Sequence, residues 1–106
     1  MKPLKSRPVK ESVIVDRVRS ILRSQGYGVV EKTHGNRYMK GWPDLYAYSK
    51  VRENHRWIEV KRPNGKLTPA QASRFRSWEA EGLDVQVATL VPETDLIVYS
   101  SWRAWI

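Results

Sequence analysis

The chain has 106 residues, 41 % hydrophobic and 28 % charged, a balance that fits one compact domain and excludes a disordered tail or a fibre. Cysteine is absent, which rules out a disulfide scaffold and any thiolate zinc site, and no apolar run approaches the roughly 20 residues of a membrane span. The 19 basic and 11 acidic residues leave +8, concentrated before residue 41, where ten Lys/Arg face only Glu11, Asp16 and Glu31; that asymmetry points to a polyanionic partner, nucleic acid first.

Residues 1–8 hold two prolines and three basic residues and read as a loose basic arm ahead of a single domain over 9–106. No apolar stretch follows those charges, so no signal peptide is expected and the setting is cytoplasmic. Ile14, Val18, Ile21 and Leu22 recur at helical spacing and predict a helix over 9–25, with Gly26 as its left-handed terminator. Arg17, Arg19 and Arg23 lie towards its other side. Glu11 stands three residues before Ile14 and seven before Val18, which places it on the apolar stripe in the first turn.

Residues 27–33 read as a strand, and the stretch from His34 to Pro43 as a basic loop rich in breakers. A second short strand is expected over 44–48, opened by Asp44, then a polar turn over 50–55. Arg56-Trp57-Ile58-Glu59-Val60-Lys61 is the clearest strand, ended by Pro63-Asn64-Gly65. Thr68-Pro69-Ala70-Gln71 is a strong helix start: Thr68 caps, Pro69 suits the first helical position, and Gln71 completes a capping box. That helix runs to about Glu81 and Gly82 ends it. A strand over 85–90 follows; 96–99 is a candidate for a further strand and 100–106 for a short terminal helix. The order α-β-β-β-α-β is that of an α/β protein with a central mixed sheet flanked by helices.

Asp44, Glu59 and Lys61 carry the chemistry. Side chains alternate across a strand, so Glu59 and Lys61 share one face while Ile58 and Val60 point into the opposite layer. If the strands of Asp44 and Glu59 pair as neighbours, their carboxylates converge. Such a pair is costly unless a hard divalent cation relieves it, and Mg²⁺ or Mn²⁺ typically takes one or two carboxylates, waters and a phosphate oxygen. The cation polarises the phosphate and activates a water, and an adjacent lysine offsets the charge that develops. Either fragment alone has an ordinary explanation, Glu-x-Lys as an exposed ion pair and Pro-Asp as a turn opening. In this order on a basic chain they are far more specific.

Gly41-Trp42-Pro43-Asp44 and the long run from Trp57-Ile58-Glu59-Val60-Lys61 through Gly65-Lys66-Leu67-Thr68-Pro69-Ala70-Gln71 resemble the VRR-NUC nuclease domain, a branch of the PD-(D/E)xK superfamily with a restriction-endonuclease-like core. The resemblance spans about Glu11 to Val91. It implies that Asp44 and Glu59 are the metal carboxylates, that the Val60 carbonyl completes the protein ligands, and that Lys61 is the catalytic lysine. It also implies that Glu11 approaches the metal directly or through water, and that Gln71 lies near the active site. The implied cofactor is Mg²⁺ or Mn²⁺, and the implied reaction is hydrolysis of a DNA phosphodiester.

Arg37, Lys40, Arg62 and Lys66 flank the expected site and are candidate phosphate contacts. Trp42, in the basic loop before Asp44, is a candidate to stack on bases, as is Tyr38, with core packing as the equal alternative. A core this short has no separate base-reading domain, so selectivity for DNA shape fits better than sequence specificity. Stand-alone members of the family are small homodimeric nucleases, often phage-borne, that act on branched DNA such as four-way junctions. The expected partners are therefore branched duplex DNA and a second copy, with Trp102-Arg103-Ala104-Trp105-Ile106 as a candidate interface. Two other readings fit the same residues: a general DNA or RNA nuclease, and a DNA-binding module without catalysis.

Overall fold

Helix α1 (Glu11–Ser24) is organised by one apolar stripe, Ile14, Val18 and Leu22, all fully buried. Just past its end Gly26 takes φ +96°, a conformation that costs glycine little. The computed structural model describes residues 9–33 and 40–106; the basic arm and the loop from His34 to Met39, with Arg37 and Tyr38, lie outside them.

Five strands stand side by side in chain order: β1 (Val29–Lys32), β2 (Leu45–Ser49), β3 (Asn54–Val60), β4 (Val85–Val91) and β5 (Leu96–Ser101). The pairs β1–β2, β2–β3 and β4–β5 are antiparallel, and β3–β4 is parallel. A parallel pair needs a crossover, which helix α2 (Pro69–Ala80) supplies. The result is the mixed sheet expected, with differences at the strand ends: β1 begins only at Val29, and Asp44 and Lys61 fall one residue outside β2 and β3. Asn54 and His55 belong to β3 rather than to the turn before it. At the C-terminus β5 continues to Ser101, and only Trp102–Trp105 coil, as a single 3-10 turn. That turn is held by its own domain: Trp102 is fully buried, and the Leu67 N–H donates to the Trp105 carbonyl at 2.8 Å. Among the described residues no helix is long and apolar enough to cross a membrane.

Strand alternation splits the interior into two layers. Val30, Leu45, Ala47, Ile58, Val60, Ala88 and Leu90 pack with Ile14, Val18 and Leu22 beneath α1. Val85 and Val87 pack with Phe75, Leu67 and Trp102 beneath α2, joined by the half-buried Trp57 and Trp78. Glu59, adjacent to Ile58 and Val60 in the chain, falls in this second layer and is 1 % exposed.

Candidate active site

Asp44 stands at the mouth of β2, one residue before the ladder begins. The register Leu45 opposite Ile58 continues to set Asp44 opposite Glu59. The turn that delivers Asp44 is fastened on several sides. Gly41 has φ +84°, a left-handed conformation that disfavours any residue with a Cβ. The Trp42 ring lies edge-on to Trp57 and Trp78, with centroids 5.8 and 5.0 Å away. Pro43 is buried; its carbonyl accepts from the Thr33 hydroxyl, and the Asp44 carbonyl accepts from the Thr33 N–H at 3.0 Å. The Asp44 carboxylate then reaches across to β3, where Oδ2 accepts from the Val60 N–H at 2.8 Å.

Glu59 and Lys61 leave β3 on the α2 side, as strand parity requires. Lys61 Nζ lies 3.3 Å from Glu59 Oε2, and both side chains are nearly sheltered from solvent. Gln71, in the first turn of α2, ties them together. Its Nε2 donates to Glu59 Oε2 at 3.0 Å, and its Oε1 accepts from Lys61 Nζ at 3.1 Å. The same Oε1 accepts from the Thr68 N–H at 3.0 Å, while Thr68 Oγ1 accepts from the Gln71 N–H at 3.1 Å. The capping box and the contact with the acid–lysine pair are thus made by one side chain. Gly65 supports the lysine from behind: a Cβ there would meet the Arg62 carbonyl at 3.1 Å and the Lys61 Cβ and Cδ at 3.5 Å.

Burial pushes the Glu59 carboxyl up to about 8 from its ordinary 4.5, and the neighbouring Asp44 charge pushes the same way while Lys61 pulls it down. Among the described residues, the buried Glu59 Oε1 has no hydrogen-bond partner. A buried carboxylate oxygen left unsatisfied is costly and is normally explained by a partner such as an ion. A hard divalent cation fits: two adjacent carboxylates plus a main-chain carbonyl suit Mg²⁺ or Mn²⁺, which keep waters for the remaining positions. Among the described residues no three His, Cys, Asp or Glu side chains come together at metal-binding distance, so Glu11 does not complete a three-acid cluster. Glu11 is the first residue of α1, where it is half-buried and favourably placed at a helix N-terminus.

The other expected residues frame this centre. Lys40 precedes Gly41, and Arg62 and Lys66 lie in the loop after Lys61; all three are exposed, and among the described residues none makes an ion pair. Trp42 is engaged from the protein side, half-buried in a cluster that continues through Trp57 to Tyr46 at 4.7 Å. Sequence reading did not single out Thr33, Gly65 or Arg74, the last of which lies against Gly41. A Cβ on Gly41 would meet Arg74 Nε at 3.4 Å. Only Gly65 carried a signal, as a glycine four residues past the lysine.

Comparison with known proteins bears on the family and the fold. No curated protein sequence matches the chain significantly. A solved structure of similar fold is that of Hjc from Archaeoglobus fulgidus, described as a Holliday junction resolvase from an archaeal hyperthermophile. It superposes with a TM-score of 0.66 over 87 % of this chain and 77 % of that one, at 15 % identity. The two share the restriction-endonuclease-like fold. The family model for the VRR-NUC domain matches residues 11–92, from the start of α1 to just past β4, and takes in Asp44, Glu59, Lys61 and Gln71 on the way: the chain belongs to the VRR-NUC family.

Proposed function

We propose that this protein is a divalent-metal-dependent endonuclease that hydrolyses phosphodiester bonds in branched DNA, with four-way junctions as its preferred substrate. The observation that carries the reading is the convergence of Asp44 and Glu59 beside Lys61, with Glu59 Oε1 buried and, among the described residues, without a hydrogen-bond partner. Asp44, Glu59 and the Val60 carbonyl are the groups that would hold Mg²⁺ or Mn²⁺, with Glu11 contributing through water. The ion, when bound, supplies Lewis-acid activation of the phosphate and of a water.

The chain's own groups do the rest. Val60 fixes the Asp44 carboxylate through its N–H, so the acid does not rotate away as a substrate enters. Gln71 holds Nζ of Lys61 within reach of Glu59, and that ammonium group is then aimed to orient the attacking water or to offset charge developing on the phosphate. Lys40, Arg62 and Lys66 supply phosphate contacts near the centre, which position DNA without reading its bases; Arg37, outside the described residues, is kept as a candidate from the sequence alone. Membership of the VRR-NUC family supports cleavage, and the fold shared with a Holliday junction resolvase supports branched DNA. A two-fold homodimer would set two such centres against a two-fold junction.

The deciding experiment incubates end-labelled linear, flap, splayed and four-way DNAs with wild-type and Asp44→Ala protein, with and without Mn²⁺. The expected result is metal-dependent cutting of the junction by wild type alone. Equal cutting of linear duplex would favour a general nuclease, and tight binding with no cutting in Mn²⁺ would leave a DNA-binding module. Sedimentation of the wild-type protein at micromolar concentration tests the dimer.

A further inference from the structure

We propose that Arg74, together with the concavity beside it on α2, is a binding site for a DNA backbone phosphate flanking the scissile one. This rests on the nuclease reading above and extends its substrate contacts to a residue outside the acid–lysine centre.

Arg74 is half-buried, and among the described residues it makes no hydrogen bond and no ion pair. The contrast within the chain is informative. Arg17 pairs with Asp95, Arg103 with Glu79, and Arg56 gives two donors to Gln86. A guanidinium is charged at every accessible pH and offers five donors in a rigid fork suited to two phosphate oxygens. Its donors are not among the buried, unpaired side-chain atoms, so they stay open to an incoming acceptor such as a phosphate.

Its location says which ligand. Arg74 follows Gln71 by three residues on the helix, and Gln71 holds Lys61 and Glu59. Trp78, one turn further on, packs against Trp42. The Arg74 Nε lies against Gly41, where a Cβ would come to 3.4 Å from it. Gly41 is three residues before Asp44, so their Cα atoms are at most about 11 Å apart even in a fully extended chain. That keeps a positive charge on the turn that delivers Asp44, near the centre where the scissile phosphate would sit. Next to it is a concavity of about 380 Å³ lined by Ala70, Ser73, Arg74, Ser77 and Trp78. No acidic side chain lines it, its serine hydroxyls are further phosphate donors, and its open form suits a passing backbone rather than an enclosed small molecule.

The test uses full-length protein carrying Asp44→Ala, so that binding is read without cleavage, and a four-way DNA junction and a linear duplex of equal length as probes. Affinity is measured from low to moderate salt with and without Arg74→Met, which keeps an unbranched stem, and Arg74→Lys, which keeps the charge. Loss of one phosphate contact should weaken both probes alike and reduce the slope of log affinity against log salt by about 0.9 in Arg74→Met, with Arg74→Lys restoring it. In the active enzyme, Arg74→Met should raise KM more than it lowers kcat. Thermal melts establish that each variant is folded. A folded Arg74→Met with unchanged slope and KM, or with a fall in kcat alone, would reduce Arg74 to a support for the Gly41 turn and overturn the site. Failure of the Asp44→Ala protein itself to bind either DNA would overturn the nuclease reading, and this site with it.

Discussion

Helix α1 covers its side of the sheet with Ile14, Val18 and Leu22 set on Ile58, Val60, Ala88 and Leu90. Helix α2 covers the other side with Phe75 as its one buried residue, and gives its first turn to Gln71, which binds Glu59 and Lys61. One strand serves both layers: β3 sends Ile58 and Val60 towards α1, and Glu59 and Lys61 towards α2. The difference shows how a chain this small carries an expensive site. The apolar layer supplies stability, and the second layer accepts a buried carboxylate beside another acid, raised to about 8 and with one oxygen unsatisfied. Stability and chemistry are then separable by substitution.

The separation is sharpest for the acids and the lysine. Asp44→Ala should abolish metal-dependent cleavage, and Lys61→Ala should lower kcat by about 10²–10³, the range for loss of a preorganised electrostatic donor, with both proteins still folded by circular dichroism. Undiminished cutting by Lys61→Ala would break the comparison. In the opposite layer, Leu22→Ala should cost about 2–5 kcal/mol in urea unfolding while the folded fraction keeps its normal kcat. A selective loss of activity there would mean that the two layers are not independent.

Glu59 offers a test in pH. Without divalent ion the folded protein retains a proton on Glu59 that the unfolded chain has already released above its ordinary 4.5, because burial and Asp44 raise the folded value to about 8. The unfolded state then binds fewer protons, so stability falls as pH rises between those two values. Urea midpoints at pH 5, 6.5 and 8 should decline for wild type, decline less in Glu59→Gln, and decline less in wild type with Mn²⁺. An equal decline in Glu59→Gln would assign the effect to another group.

The smallest effect separates the two duties of Gln71. Thr68→Ala removes one half of the capping box and should cost about 1 kcal/mol of stability with little change in kcat. Gln71→Glu keeps an acceptor for the Thr68 N–H but replaces the amide that donates to Glu59 by a carboxylate. It should therefore remain folded and lose activity. Parallel losses in both variants would make Gln71 a cap and nothing more.

Much of this was legible from short-range pattern. Alternation along β3 placed Glu59 and Lys61 on one face, and Thr68-Pro69-Ala70-Gln71 marked the start of α2, because strand parity and helix capping depend on neighbours in the chain. The resemblance of the sequence to the VRR-NUC domain likewise pointed to Asp44, Glu59, Lys61 and Gln71 together as candidates. The C-terminal segment was less readable: the sequence left Trp102 open to packing or to an interface, and the domain buries it completely, with Nε1 donating to Glu79 at 2.9 Å.

Local chemistry in the chain thus determined where the two helices and most of the strands lie, though not their ends, the shared face of Glu59 and Lys61, and which acids and lysine are candidates for catalysis. The tertiary structure alone decided that Thr33 fastens Pro43 and Asp44, that the Val60 N–H holds the Asp44 carboxylate, that Gly65 backs the Lys61 stem, and that Arg74 lies on Gly41. Those contacts join segments brought together by strand register and by the α2 crossover. Periodicity along the chain carries no record of which distant residues such register will set side by side.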